Sequence, residues 1–178
     1  MRVFLLVLVA LLSAACSAPA KQPVAHDFGL PFFNQAAKSG MKANIRVKAP
    51  QWLQDNRIRY RLLYSSPTEI RFYTLDNWIA SPPELFEQQL LGNENYSLNI
   101  WLSEFEQQFD APDRARVVLD FFVEAYSSDT KRLIDSQGFH FERSTPTPDA
   151  AGAITALADL TRQAAERVLN WLKQLPVK

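Results

Sequence analysis

Two long stretches of alternating residues constrain this chain more than any other feature. In "RARVVLDFFVEAY", Ala115, Val117, Leu119, Phe121, Val123 and Ala125 fall on one side. Arg114, Arg116, Val118, Asp120, Phe122, Glu124 and Tyr126 fall on the other. A period of two over that length is a strand with one face buried, and no helix satisfies it. The preceding "YSLNIWLSEFEQQFD" alternates through Leu98, Ile100 and Leu102, then changes parity to Phe105 and Phe109. That break predicts a β-bulge near Ser103 or Glu104. "LIDSQGFHFERS", interrupted at Gly138, reads as a third strand, and the three form an antiparallel meander. The chain is therefore built around a sheet.

The rest supplies what covers the sheet. "NIRVKAP" is a short strand closed by Pro50. "RIRYRLLY" and "EIRFYTL" read as a hairpin, with Ile58, Tyr60, Leu62 and Tyr64 facing one way and Arg57, Arg59 and Arg61 the other. On the returning strand, Ile70 and Phe72 point inward, and Arg71 and Tyr73 outward. "SPPELFEQQLLG" is a helix capped by Ser81, opened by Pro82 and Pro83 and ended by Gly92. "TPDAAGAITALADLTRQAAERVLNWLKQLP" is a second, longer helix. It is capped by Asp149 or Thr147, with Ile154, Leu157, Thr161, Ala164, Val168, Trp171 and Leu175 at helical spacing and Gly152 as a mild cost. Strands and helices without regular β-α-β alternation predict an α+β domain: an antiparallel β-sheet with two α-helices packed on one face. An aromatic content of 12% with 5 glycines argues against disorder.

The N-terminus carries a different signal. Arg2 precedes an unbroken apolar run from Val3 to Leu12, followed by the small residues Ser13, Ala14 and Ala15. The run is too short to span a bilayer, which takes about 20 residues, and it reads as a secretory signal peptide over 1–15. The chain's single cysteine, Cys16, stands immediately after it. "LSAAC" resembles a bacterial lipobox, although Ser13 holds the place of the usual large apolar residue and Leu12 lies one step further back. Diacylation of Cys16 would hold the mature chain to a lipid bilayer; the alternative is a free thiol in an oxidising compartment. Residues 16–25 then form a tether and 26–178 the domain. Ser17 after the cysteine, by resemblance to bacterial lipoproteins as a group, implies the periplasmic face of the outer membrane.

Catalytic signatures are missing. The chain has no HExxH, CxxC, GxSxG or P-loop, and His26 and His140 are its only histidines. Glu104 and Glu106 form a carboxylate pair whose shared facing depends on the bulge. No cofactor or metal is called for, and a formal net charge of zero gives no basic field for nucleic acid. These absences predict a binding or assembly protein and not an enzyme. Two surfaces are candidates. Arg57, Arg59 and Arg61, extended by Arg71, form either an anion-binding stripe for lipid phosphate or an acidic partner, or the solvated side of a hairpin. Trp101, Val118 and Phe122 lie on the sheet's outer side, either as an apolar contact patch or under another element.

Several of these segments resemble the ABC-type transport auxiliary lipoprotein components, the PqiC-like lipoproteins. "NIRVKAPQWLQDNRIRYRL" is similar to the family's strand, turn and hairpin strand. "TEIRFYTLDNWIASPPELFEQQLL" is similar to its strand running into an Asn/Arg-Trp-x-x-x-Pro motif, with Asn77, Trp78, Pro82 and Pro83 in those places. "TPDAAGAITALADLTRQAAERVLNWL" is similar to its closing helix. The resemblance spans roughly Ile45 to Leu172 and makes Trp78 a structural anchor where the hairpin meets the helix. It implies an auxiliary component of a transport system for phospholipid or another hydrophobic molecule, partnered by an MCE-domain protein and an inner-membrane ABC transporter with its ATPase and permease. The alternative is another assembly lipoprotein, such as a lipopolysaccharide-transport plug or a secretion-channel pilot. Homo-oligomers are compatible with either.

Overall fold

A computed structural model of the protein describes residues 21–29, 44–90 and 95–176. Cys16, Ser17, the leader, half of the tether and Gly92 lie outside them. Among the described residues, seven strands and two α-helices follow in order: β1 (Val24–His26), β2 (Ile45–Lys48), a 3₁₀ turn (Gln51–Leu53), β3 (Arg57–Leu62), β4 (Ser66–Trp78), α1 (Pro82–Gln89), β5 (Tyr96–Ala111), β6 (Arg114–Ser127), β7 (Leu133–Ser144) and α2 (Ala150–Leu172). The fold is α+β. Strand β1 starts at Val24, inside the segment read as tether.

The sheet is mixed, and this corrects the antiparallel expectation. The β5-β6-β7 meander and the β3-β4 hairpin are antiparallel as expected. Strands β2 and β3, however, lie one after the other along the same side of β5, both parallel to it. Strand β1 is parallel to β4. The order across the sheet is β1-β4-β3-β5-β6-β7, with β2 also on β5. Strand β5, at 16 residues, is long enough to serve two short strands end to end. Pro50 and the 3₁₀ turn carry the chain from one to the other.

Both helices cover one face. Phe86 of α1 meets Phe121 of β6 edge-on at 4.9 Å, Phe121 stacks on Phe139 of β7 at 5.1 Å, and Phe139 meets Trp171 of α2 at 6.0 Å. These rings bind both helices to the inward side chains of the meander, which are almost fully buried. The bulge falls between Leu102 and Glu104, and the parity change there keeps Phe105 and Gln107 facing the helices after Leu98, Ile100 and Leu102. Gln107 is buried under α2, where Tyr73 donates its hydroxyl proton to it and it donates to the carbonyl of Asp149.

The helix ends follow their sequence signals. Glu84 accepts from the backbone N–H of Ser81 at 3.0 Å, and Pro82 and Pro83 fill the first turn of α1. Asp149 caps α2 by accepting from Gly152 N–H at 2.8 Å and from the Thr147 hydroxyl at 2.7 Å. Gly152 is a requirement and not a mild cost: a Cβ there would stand 1.9 Å from the Thr147 carbonyl oxygen.

Trp78 is 1% exposed at the end of β4. Phe28 meets it edge-on at 5.1 Å and Phe105 at 5.9 Å. Its backbone N–H donates to the Asn56 carbonyl. It thus joins the segment after β1, the hairpin and the bulge of β5, four residues before Pro82 opens α1.

Candidate interaction surface on the helix-free face

The face opposite the helices carries the aromatic surface singled out in the sequence and all of the arginine stripe but Arg71, and the tertiary structure treats the two differently. Lys48, Trp101, Phe122 and Gly138 stand in register across β2, β5, β6 and β7. Trp101 is 48% exposed and Phe122 43%. Gly138 has nothing within 4 Å of where a Cβ would stand, so the space beside Phe122 stays open. Trp101 also borders an open groove of about 880 Å³, lined by Val47, Lys48, Ala80, Pro83 and Glu87 among others. An aromatic pair beside a lysine can take a partner with an apolar edge and a polar or anionic rim.

Val118 does not belong to that exposed patch. It is 2% exposed, flanked in register by Glu106 and Glu142. The long polar side chains around it form a connected layer that shuts out solvent. Arg61 donates to Glu106 at 2.6 Å. Gln108 donates to both Glu104 and Glu106. Arg116 bonds Asp110 and Gln108 and lies 3.5 Å from Glu142. His140 pairs with Asp120. Past the bulge, Glu104 and Glu106 do share a face. Glu106 is 1% exposed, and one of its oxygens has no hydrogen-bond partner among the described residues. Burial first, then the Glu106 carboxylate, then the hydrogen bond with Asp120 push the Glu104 carboxyl up to about 7. The bond to Asp120 raises His140 above its ordinary value.

The arginine stripe is not a free cationic surface. Arg59 is 2% exposed. It donates to the carbonyls of Trp52 and Arg57 and to Asp55 at 2.6 Å, all from the turn before β3 or β3 itself. Burial lowers its pKa, and the Asp55 carboxylate opposes that. Arg57 grips Asp55 through two nitrogens and lies over the Phe72 ring, 3.7 Å from its centroid. Burial alone would raise the Asp55 carboxyl; hydrogen bonds from Arg57 and the nearby Arg59 hold it below its ordinary value. Arg61 is committed to Glu106. Arg71 is on the other side of the sheet altogether: it stands opposite Tyr60, while Phe72 stands opposite Arg59. The inward and outward assignments on β4 are therefore reversed from the sequence expectation. The hairpin register slips between Arg57 and Arg59 and again between Tyr60 and Leu62, and each slip moves the alternation. Arg71 bonds Glu69 through two nitrogens at 3.1 Å.

Among the described residues, the cations without an ion pair near the aromatic row are Arg46 and Lys48 on β2, facing Asn99 and Trp101. Sequence reasoning did not select them because their neighbours are set by the parallel β2–β5 pairing, 53 residues apart in the chain. Among the described residues there is no cluster of three or more potential metal-ligating side chains, and no helix is long and apolar enough to cross a membrane.

No protein-family model and no curated protein matches the chain. Solved structures do. Protein XCC0632 from Xanthomonas campestris, described as family-model DUF330, has the same fold with a TM-score of 0.65. It is 16% identical, over 86% of this chain and 87% of that one. A second structure, of an uncharacterized protein, matches with a TM-score of 0.60 and 16% identity, over 72% of this chain and 88% of its own. At these identities the likeness establishes the fold.

Proposed function

We propose that this protein is an auxiliary lipoprotein of an MCE/ABC-type transport system for phospholipid or another hydrophobic molecule. It is anchored through acylated Cys16 to the periplasmic face of the bacterial outer membrane and acts as an adaptor without catalysis of its own. The observation that carries this reading is the shared fold with a DUF330 protein across most of both chains. DUF330 proteins are the PqiC-like, ABC-type auxiliary lipoproteins, the family that the Trp78–Pro82 segment and the closing helix also resemble. The leader ending in Cys16 supports the anchor, and the exposed Trp101–Phe122 row beside Lys48 supports a docking face for the partner. Energy for transport comes from the partner ATPase, since the chain has no nucleotide-binding motif.

The test is affinity capture of the tagged protein from solubilised membranes, followed by mass spectrometry. Co-purification of an MCE-domain protein and an ABC permease is the expected result. Recovery of a lipopolysaccharide-transport barrel or a secretin instead would assign the protein to a different assembly, and recovery of neither would overturn the adaptor role. In parallel, Cys16→Ala should move the protein from the membrane fraction to the soluble periplasm.

A further inference from the structure

We propose that strand β7 is the seam of a symmetric homodimer, in which a second copy of this chain pairs antiparallel with it and extends the sheet. The inference goes beyond the transport reading and does not depend on the lipid anchor.

Four strand edges among the described residues lack a neighbouring strand: β1, β2, β7, and β4 over 66–75, beyond the three residues that β1 pairs. The β4 edge opens on Pro67, and β1 and β2 are protected. Strand β1 is three residues long and follows Pro23. On β2, Glu87 of α1 accepts from the outward N–H of Val47 at 2.9 Å. Short strands, prolines and capping side chains are how natural sheets prevent edge pairing. On strand β7 the only capping side chain is near its start, where Asp135 accepts from the outward N–H of Ser136 at 2.8 Å; the strand is 12 residues long, contains no proline or lysine, and pairs with β6 in unbroken register from Ala125–Asp135 to Arg116–Ser144.

Its free hydrogen-bonding groups follow from one bond. Thr145 N–H donates to the Ala115 carbonyl directly opposite. Alternation then turns the odd-numbered residues of β7 toward β6. Gly138, His140 and Glu142 present their backbone N–H and C=O groups to the open edge, and Ser136 presents its C=O, its N–H donating to Asp135.

Charge selects the register. Antiparallel pairing about a two-fold axis at Phe139 sets Gly138 opposite the second copy's His140 and Ser136 opposite its Glu142. It also sets Asp135 opposite the second copy's Arg143, twice by symmetry. Asp135 and Arg143 are turned toward the helix side, where Asp135 accepts from Trp171 and Arg143 bonds Asp159 and Gln163 of α2. Opposite charges directly across a pair stabilise it, and like charges oppose it. Gly138 leaves open space at the crowded centre. A groove of about 530 Å³ between β7 and α2, edged by Glu166 and Arg167, faces the same groove of the second copy. The symmetry puts both helix layers on one side and both Trp101–Phe122 rows on the other.

The test is sedimentation of the mature chain carrying Cys16→Ser, across the micromolar range. A dimer is expected, and a monomer throughout would overturn the proposal. Gly138→Pro removes an outward N–H and leaves the β6 ladder intact; it should give a folded monomer by circular dichroism, and a persisting dimer would place the seam elsewhere. Asp135→Arg and Arg143→Asp should each weaken the homodimer by like-charge contact. Mixed together they should recover it as a heterodimer, because each repulsive pair becomes an attractive one. No recovery from two folded variants would overturn this register.

Discussion

Asp55 accepts a hydrogen bond at 2.6 Å from Arg59, a guanidinium whose side chain is 1% exposed. A residue that alternation assigns to the solvated side of a hairpin is thus a buried cation held by the turn that precedes it. Removing the carboxylate leaves the charge with only two backbone carbonyls. Asp55→Ala should cost roughly 2–4 kcal/mol, the range for breaking a buried pair, reduced because Asp55 is itself partly exposed. Arg59→Glu should prevent folding, whereas Arg71→Glu, on the other face and exposed, should change stability little. Urea denaturation of the three variants separates them; equal effects would place Arg59 at the surface.

Gly152→Ala tests the start of α2. A methyl group there meets the Thr147 carbonyl oxygen at 1.9 Å, so the backbone of the Thr147–Asp149 cap has to move. In an ordinary helix the same substitution stabilises by up to about 1 kcal/mol. Here a loss of about 1–3 kcal/mol is expected. A rise in melting temperature would contradict the close approach.

The outer face separates contact from packing. Trp101→Ser and Phe122→Ser should each change stability by about 0.5 kcal/mol or less and should reduce capture of the transport partner. Val118→Asp, four residues from Phe122, should unfold the domain, since it buries a carboxylate between Glu106 and Glu142. Thermal melts and the affinity capture described above read the two effects independently. Undiminished capture by both aromatic variants would remove the row from the docking face.

Glu104 gives the sheet a pH dependence. Its carboxyl titrates near 7 in the folded chain against an ordinary value of 4.5. Between those values the folded protein holds a proton that the unfolded chain has released, so stability falls as pH rises through the window. His140, raised by Asp120, acts in the same direction: its stabilisation is present below its unfolded value and is lost as pH rises through the folded one. Glu104→Gln should flatten the decline in melting temperature between about pH 5 and about pH 8 and exceed the parent at the upper end. A double variant with His140→Gln apportions the remainder. An unchanged slope in Glu104→Gln would show that this carboxyl is ionised throughout.

Local order was legible because it is set by near neighbours. Alternation located β5, β6 and β7 to within a residue, and the parity break at Ser103 announced the bulge. Serine, proline and aspartate at the helix starts behaved as capping chemistry requires. What the residues could not reveal depends on partners distant in the chain. The parallel seating of β2 and β3 on β5 is decided by the core they close together, not by their own short patterns. Strand β1 has three residues and no periodicity to read. The slips in the β3–β4 register invert the facing of Arg71 and Phe72, and alternation cannot register a slip that occurs between strands.

The sequence by itself determined the elements other than β1, the α+β class and the burial of one face of the meander, because a repeat of two or 3.6 residues is a property of the local chain. Only the tertiary structure decided which surface groups are available. It gave every arginine of the stripe a carboxylate, with Asp55 serving both Arg57 and Arg59, sealed Val118 beneath a polar layer, and left Trp101, Phe122 and the edge of β7 open among the described residues. Availability depends on what stands within a few ångströms, and in a mixed sheet those neighbours come from remote parts of the chain.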